Sequence, residues 1–351
     1  MADAPGSFAH TSDFNFRVDD LDTDTLKVLG FEGTEGISEL FHFRVELCSD
    51  DAEIEPAAYI GKPCVLEIYA YNGLRRYVSG IVRRFERMGH GSGLTYYVAE
   101  IVPSLWLLTK RYQSRIFQET RCQEMTVPGV IAQVLDDAGF IGDYYGSPVL
   151  NATYETLEFM AQYRETDFDF VSRLMEHEGI FYFFEHTSDG HRLVMSDSDS
   201  VHTLLAESSE FPYRDPSGLV EESEYFFSAH DRAEIQHGAV FLDDFNYRQS
   251  ENAMWMRSER TGERHTALVY NDYPGGFETT ETGDRYAQMR LEEYESNTRV
   301  LNLAATVRTL LPGYRFTMID HPSESMNGEY LITHVSHNAR QSQSAEEETS
   351  E

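Results

Sequence analysis

The sequence predicts a mainly β protein in which two small β-barrels flank an α+β insertion module. Three observations predict it. Short alternating strands, separated by Gly, Asn and Pro turn signals, fill both ends of the chain. Residues 162–186, QYRETDFDFVSRLMEHEGIFYFFEH, compress a helix start, an amphipathic helix, a glycine stop and an aromatic strand into one run. The order turn, strand, loop, glycine, strand over 62–85 returns over 312–337, which suggests two related barrels. The expected division is 1–112 for the first barrel and 113–200 for the insertion module. Residues 201–299 form a connecting segment with strands and a helix, partly returning to the first barrel. Strands of the second barrel occupy 300–340, and 341–351 is an acidic tail or a truncation point.

Residues 1–20 are polar with interspersed phenylalanines and read as an extended lead-in. In the strand 40–47, Phe41, Phe43, Val45 and Leu47 share one face while His42, Arg44 and Glu46 share the other. A turn at 60–63 leads into a strand over 64–71, and Asn72-Gly73 is a hairpin signal. Two more strands follow at 77–85 and 96–102. Thr126 starts a helix over 126–140, with Pro128 in its first turn, Gly139 as its stop and Ile131, Val134 and Leu135 inside. After a strand over 155–163 comes a helix capped by Thr166, with Asp169 reaching back to the cap. Asp167 and Asp169 face the positive end of its dipole. Phe168, Val171 and Met175, with Leu174, form its apolar stripe, while Arg173, Glu176 and His177 face water. Gly179 ends it in the left-handed conformation. The strands 180–184 and 192–195 close as a hairpin. Residues 197–225 are loop-rich and 226–247 alternate as strand. A turn at 270–276 precedes a helix over 284–294 with Tyr286, Met289, Arg290 and Leu291 on its face. Strands at 301–310, 314–319 and 330–337 are separated by Pro312-Gly313 and Asn327-Gly328.

Composition narrows the function. Hydrophobic residues are 41% and charged residues 25% of the 351, as in an ordinary globular protein. The absence of an apolar run of about 18 residues predicts no membrane insertion. With no basic n-region or apolar h-region at the start, the chain is expected to be made and folded in the cytoplasm. Cys48, Cys64 and Cys122 are scattered, which argues against a disulfide framework and a zinc site. A formal net charge of −32 repels nucleic acid. Lys27, Lys62 and Lys110 are the only lysines, so the cations are almost all arginine, which suits buried or interfacial ion pairs.

The sequence assigns no catalytic, cofactor-binding or metal-ligating residue. Asp167, Asp169, Glu176, His177 and Glu178 could be read as a carboxylate and histidine cluster. The structural reading is preferred, because each has a cap or surface role and no H-E-x-x-H spacing is present. GHGSG at 89–93 reads as a hairpin loop, since it lacks the order of a nucleophile elbow and the lysine of a phosphate loop. His321 has no partner in sequence, and SDSDS at 196–200 lacks the glycine and glutamate of a calcium loop, so it reads as linker. Abundant carboxylates leave a carbohydrate-active hydrolase as the alternative function, although nothing selects a pair.

Three segments together resemble a known family. QYRETDFDFVSRLMEHEGIFYFFEH resembles the signature of the VgrG spike proteins of type VI secretion systems and the related tail-hub proteins of contractile phages. FEGTEGISELFHFRVEL, IGKPCVLEIYA and YVSGIVRRF resemble their N-terminal barrel. YNDYPGGF, the helix 284–294 and LPGYRFTMIDHPSESMNGEYLITHVSH resemble the closing barrel of the hub. The resemblance implies a phage tail-hub-like fold and a homotrimer whose six barrels match a sixfold tube. It implies a structural, non-enzymatic role in a contractile injection machine, without cofactors. The expected partners are an Hcp-like tail-tube protein, baseplate proteins, and spike-tip and effector proteins held through a C-terminal spike that these residues do not include. Assembly would be cytoplasmic, with delivery outside the cell or into a target cell on contraction.

Overall fold

Alternation of apolar and polar residues builds the first sheet as expected. The protein is described by a computed structural model over residues 13–71, 73–120, 122–140, 148–206, 208–215, 223–246 and 255–341. Its first six strands are β1 (Phe14–Val18), β2 (Lys27–Gly36), β3 (His42–Ser49), β4 (Pro63–Tyr69), β5 (Arg75–Gly91) and β6 (Leu94–Val102). The insertion contributes β7 (Tyr112–Phe117), α1 (Val127–Asp137), β8 (Met160–Thr166), α2 (Asp167–Glu178), β9 (Phe181–His186) and β10 (His191–Ser196). The remainder contains β11 (Glu210–Pro212), β12 (Phe226–Ala233), β13 (Ala239–Phe245), β14 (Trp255–Thr261), β15 (Val269–Asp272) and α3 (Thr280–Ser296). It ends with β16 (Arg299–Ala305), β17 (Arg315–Ile319), β18 (Gly328–Leu331) and β19 (His334–Arg340).

Seven antiparallel strands form one sheet in the order β1-β4-β5-β6-β3-β2-β19. Phe41, Phe43, Val45 and Leu47 are fully buried in its core. Each such side chain contributes about 1.5–3 kcal/mol by leaving water. The two sheet edges approach each other. Phe14 on β1 packs edge-on against Phe31 on β2 at 5.1 Å, and its amide donates to Gln341 Oε1, just after β19. The strand pairing is thus an open half-barrel that side chains close.

The insertion shares the core of this half-barrel. One continuous apolar cluster runs from Phe14 through Val130, Val134, Phe170 and Leu174 to Leu193 and Met195. In α1, Thr126 caps the Gly129 amide, and Val127, Val130, Ile131, Val134 and Leu135 are buried. The second barrel surrounds a separate core of Phe211, Phe226, Phe316, Met318 and Ile332, built from the sheet β11-β17-β18 and the pair β12–β16. A third core lies between α3 and the sheet β14-β13-β15.

Several expected boundaries move. The strand expected over 155–163 is β8 at 160–166, because the Leu157 amide donates to Met125 O and holds the preceding residues as a loop. Residues 270–272, the first three of the expected 270–276 turn, join Val269 in β15, parallel to β13. The third helix begins at Thr280, capped by Thr279. The segment 330–337 divides in two. Ile332 donates to Tyr314 O in the second barrel, whereas Thr333 O accepts from Ile37, and β19 pairs with β2. The last strand therefore belongs to the first sheet. Asn72 of the Asn72-Gly73 turn, Tyr247, residues 1–12 and tail residues 342–351 lie outside the described residues.

Candidate functional site

The run 162–186 folds as its pattern requires. Thr166 Oγ1 accepts from the Asp169 amide at 3.0 Å and donates to Asp169 Oδ2 at 2.7 Å, so cap and third residue hold each other. Gly179 closes the helix at φ 72°, and a Cβ there would lie 2.2 Å from Met289 Sδ on α3. The apolar stripe differs in one position. Phe170 is fully buried and stacks on Phe117 at 5.6 Å, while Phe168 is half-buried at the margin. Both fit a helical period with Leu174 and Met175, and the position of β7 selects Phe170.

Asp167 has a role that capping alone does not describe. Its carboxylate is fully buried, and Arg111 Nε donates to Oδ2 at 2.7 Å. Arg115 Nη2 and Gln162 Nε2 donate to Oδ1 at 3.1 and 2.9 Å. Arg115 also donates to Gln162 Oε1 and to Asp137 Oδ2 at the end of α1. One carboxylate thus ties β7, β8, α1 and α2 together.

The other charged residues of this run serve different neighbours. Glu178 is buried and accepts from Arg285, and from Tyr286 Oη at 2.9 Å, both on α3. His177 and Glu176 are exposed, and the His177 ring packs against Tyr286 at 4.6 Å. No shared cleft gathers these carboxylates. Among the described residues, no three His, Cys, Asp or Glu side chains come together as a metal would need. Residues 89–93 form the β5–β6 hairpin. His321 Nδ1 accepts from the Ser323 amide, and its ring meets Tyr213 at 4.4 Å. The SDSDS stretch does more than link, since Asp197 accepts from the Asn151 and Ala152 amides and from Tyr154 Oη.

A buried polar cluster escaped the sequence reading. Glu35 on β2 accepts from Arg76 on β5, and His337 Nε2 on β19 lies 2.7 Å from Glu35 Oε1. Burial raises the Glu35 carboxyl, but Arg76 and His337 outweigh it and hold it at about 2. Beside it, His186 Nδ1 accepts from the Ser79 amide, and His191 Nε2 accepts from the Ser104 amide. Burial pushes His186 down to about 4 and His191 to about 3, so both rings are neutral. They face each other across the β9–β10 ladder and fasten that hairpin to the half-barrel. Two histidines flanking the loop 187–190 were the available sequence signal.

Two surfaces are suited to docking. The ribbon β7–β8 buries the Arg115 side chain and Phe117 on one side and leaves Tyr112, Ile116 and Tyr163, with Phe159 just before β8, between 55% and 68% exposed. Elsewhere a shallow cavity of about 360 Å³, lined by Ile235, His237, Leu268 and Val269, adjoins the edge strand β15. Exposed apolar groupings of this kind mark contact surfaces in assemblies.

Comparison with known proteins bears on both fold and role. The family model described as "Phage tail baseplate hub (GPD)" matches residues 34–343. The chain is 36% identical over 315 residues to the type VI secretion system spike protein VgrG1c of Pseudomonas aeruginosa, covering 89% of this chain and 42% of that protein. It is 34% identical over 320 residues to VgrG1b of the same organism, with 90% and 42% covered. To the actin cross-linking toxin VgrG1 of Vibrio cholerae it is 28% identical over 346 residues, with 95% and 31% covered. The chain therefore spans less than half the length of these curated relatives. Among solved structures, the E. coli c3393 protein is described as a component of the type VI secretion system with structural similarity to bacteriophage T4 tail proteins gp27 and gp5. It aligns with a TM-score of 0.69 at 20% identity, over 94% of this chain and 74% of that one. The 43 kDa tail protein of prophage MuSo2 from Shewanella oneidensis aligns with a TM-score of 0.58 at 14% identity, over 93% and 94%.

Proposed function

Because the chain belongs to the phage tail baseplate hub family, we propose that it forms the trimeric hub of a contractile injection machine of the type VI secretion kind. In this reading it adapts a sixfold tube and its baseplate to a threefold puncturing spike. The observation that carries the reading is the family match over 34–343, which takes in both barrels and the insertion. Two barrels in each of three copies supply six similar units to a sixfold tube. The role is structural. Sheath contraction loads the ring, and the Asp167 and Glu35 clusters brace each copy against local opening. We assign the apolar face of the β7–β8 ribbon to contacts with other components, among them baseplate proteins. A tail-tube protein would stack on the ring, and spike-tip and effector proteins would join through a spike beyond these residues. The ring assembles in the cytoplasm and leaves the cell on contraction.

Native mass spectrometry at micromolar concentration tests the trimer. The expected species has a mass of 3 × 40.3 = 120.9 kDa. A monomer as the sole species would overturn the reading.

A further inference from the structure

The charge of this chain is distributed unevenly between its interior and its surface. Among the described residues, five carboxylates are buried, and every one faces a cation. Glu35 meets Arg76, Glu67 meets Arg17, Asp167 meets Arg111 and Arg115, and Glu178 meets Arg285. Glu100 lies among Arg83, Arg84 and His42. The interior thus draws on the scarce basic residues. There are 60 Asp and Glu against 28 Lys and Arg, so even one-to-one pairing leaves 60 − 28 = 32 carboxylates without a basic partner.

Among the described residues, part of this excess sits at the surface in close runs. Asp19, Asp20, Asp22 and Asp24 are all exposed, as are Asp50, Asp51, Glu53 and Glu55. Both runs lie in turns and irregular backbone, with Asp20 and Asp24 at positive φ, so residues two apart in them are no further apart than the about 7 Å of extended chain. That lies within the Debye length of about 8 Å at 0.15 M salt and well beyond the value of about 3 Å at 1 M. These carboxylates therefore repel one another at ordinary ionic strength and cease to do so in molar salt. Screening also weakens exposed ion pairs such as Lys62–Asp20, but such pairs contribute little. The partly buried arginine pairs that fasten the fold are screened much less.

We propose that this protein is built for molar salt, its folded state depending on a dense atmosphere of monovalent cations around an acidic surface. The inference stands on charge and burial within one copy and does not rest on the hub reading. The near absence of lysine fits it. Arginine, weakly hydrated and able to bind a carboxylate with two parallel hydrogen bonds, keeps its pairs when salt is high. Hydrated carboxylates keep the surface soluble there.

Thermal unfolding of the full chain in about 0.15 M and about 2 M KCl tests this. The midpoint is expected to rise by about 10 °C or more. Neutralising five exposed carboxylates of these runs with Asp22→Asn, Asp24→Asn, Asp50→Asn, Glu53→Gln and Glu55→Gln should raise the midpoint in low salt and reduce the rise. A midpoint that is flat or falls with KCl overturns the proposal. So does a neutralised chain with the parent's salt response, because salt would then act on apolar burial rather than on charge.

Discussion

Without the carboxylate of Asp167, Arg111 and Arg115 would face each other around Gln162 with only the partly exposed Asp137, bound to Arg115, left as an anion. Removing one partner of a buried ion pair typically costs about 3–5 kcal/mol. Arg111 is partly exposed, so Asp167→Asn is expected to lower stability by about 3 kcal/mol in urea unfolding. A change below about 0.5 kcal/mol would show that the network is ornamental. The histidines give a second prediction. His186 and His191 have folded values near 4 and 3 against an ordinary 6.5, so the unfolded chain takes up protons first as pH falls. Their contribution is complete above 6.5 and is lost as pH drops through the folded values. By pH 5 each should have lost roughly 2 kcal/mol, at about 1.4 kcal/mol per unit. Glu35, held near 2, adds its own loss only below its ordinary 4.5. Unfolding by urea at pH 7 and pH 5 should therefore show a fall that shrinks in His186→Gln. An identical fall in that variant would place the titration elsewhere. Residue-level reading from sequence reached the cap at Thr166 and the stop at Gly179, because those signals are local. It missed Phe170 and the pairing of Glu178 with Arg285, because those depend on elements far along the chain.

At the scale of elements, the second barrel meets the insertion hairpin at Gly313. Its φ of 87° is one that L-residues adopt only under strain, and a Cβ there would lie 2.5–2.8 Å from the ring of buried Phe183 on β9. Gly313→Ala should cost about 2 kcal/mol or more in thermal unfolding, combining backbone strain with displacement of a buried ring. An unchanged midpoint would mean that the two units are not coupled there. The turn at Pro312-Gly313 was legible in the sequence, but its contact was not. The helices capped by Thr126 and Thr166 and the strands with strict alternation were located well, whereas the helix capped by Thr279 was started four residues late. The break at Ile332 and Thr333 was invisible, since the alternation continues while the hydrogen-bond partners change from the second barrel to the first. The strand β15 was hidden because its residues, Val269–Asp272, run straight into turn-forming ones.

For the whole molecule, the β-barrel and insertion architecture was readable because turn chemistry and period-2 alternation are strong signals repeated many times. The continuous core joining half-barrel and insertion was not, because no periodicity reports which faces meet. The way the first sheet is completed also governs how this chain is made. Glu35 on β2 pairs with Val335 on β19, 335 − 35 = 300 residues downstream. At about 5–20 residues per second, ribosomal synthesis leaves the β2 edge without its neighbour for roughly 15–60 s. The sheet that emerges first is thus the last to be finished. During that interval Glu32 and Glu35 put charge on the waiting strand, which discourages pairing with a nascent copy on the same messenger.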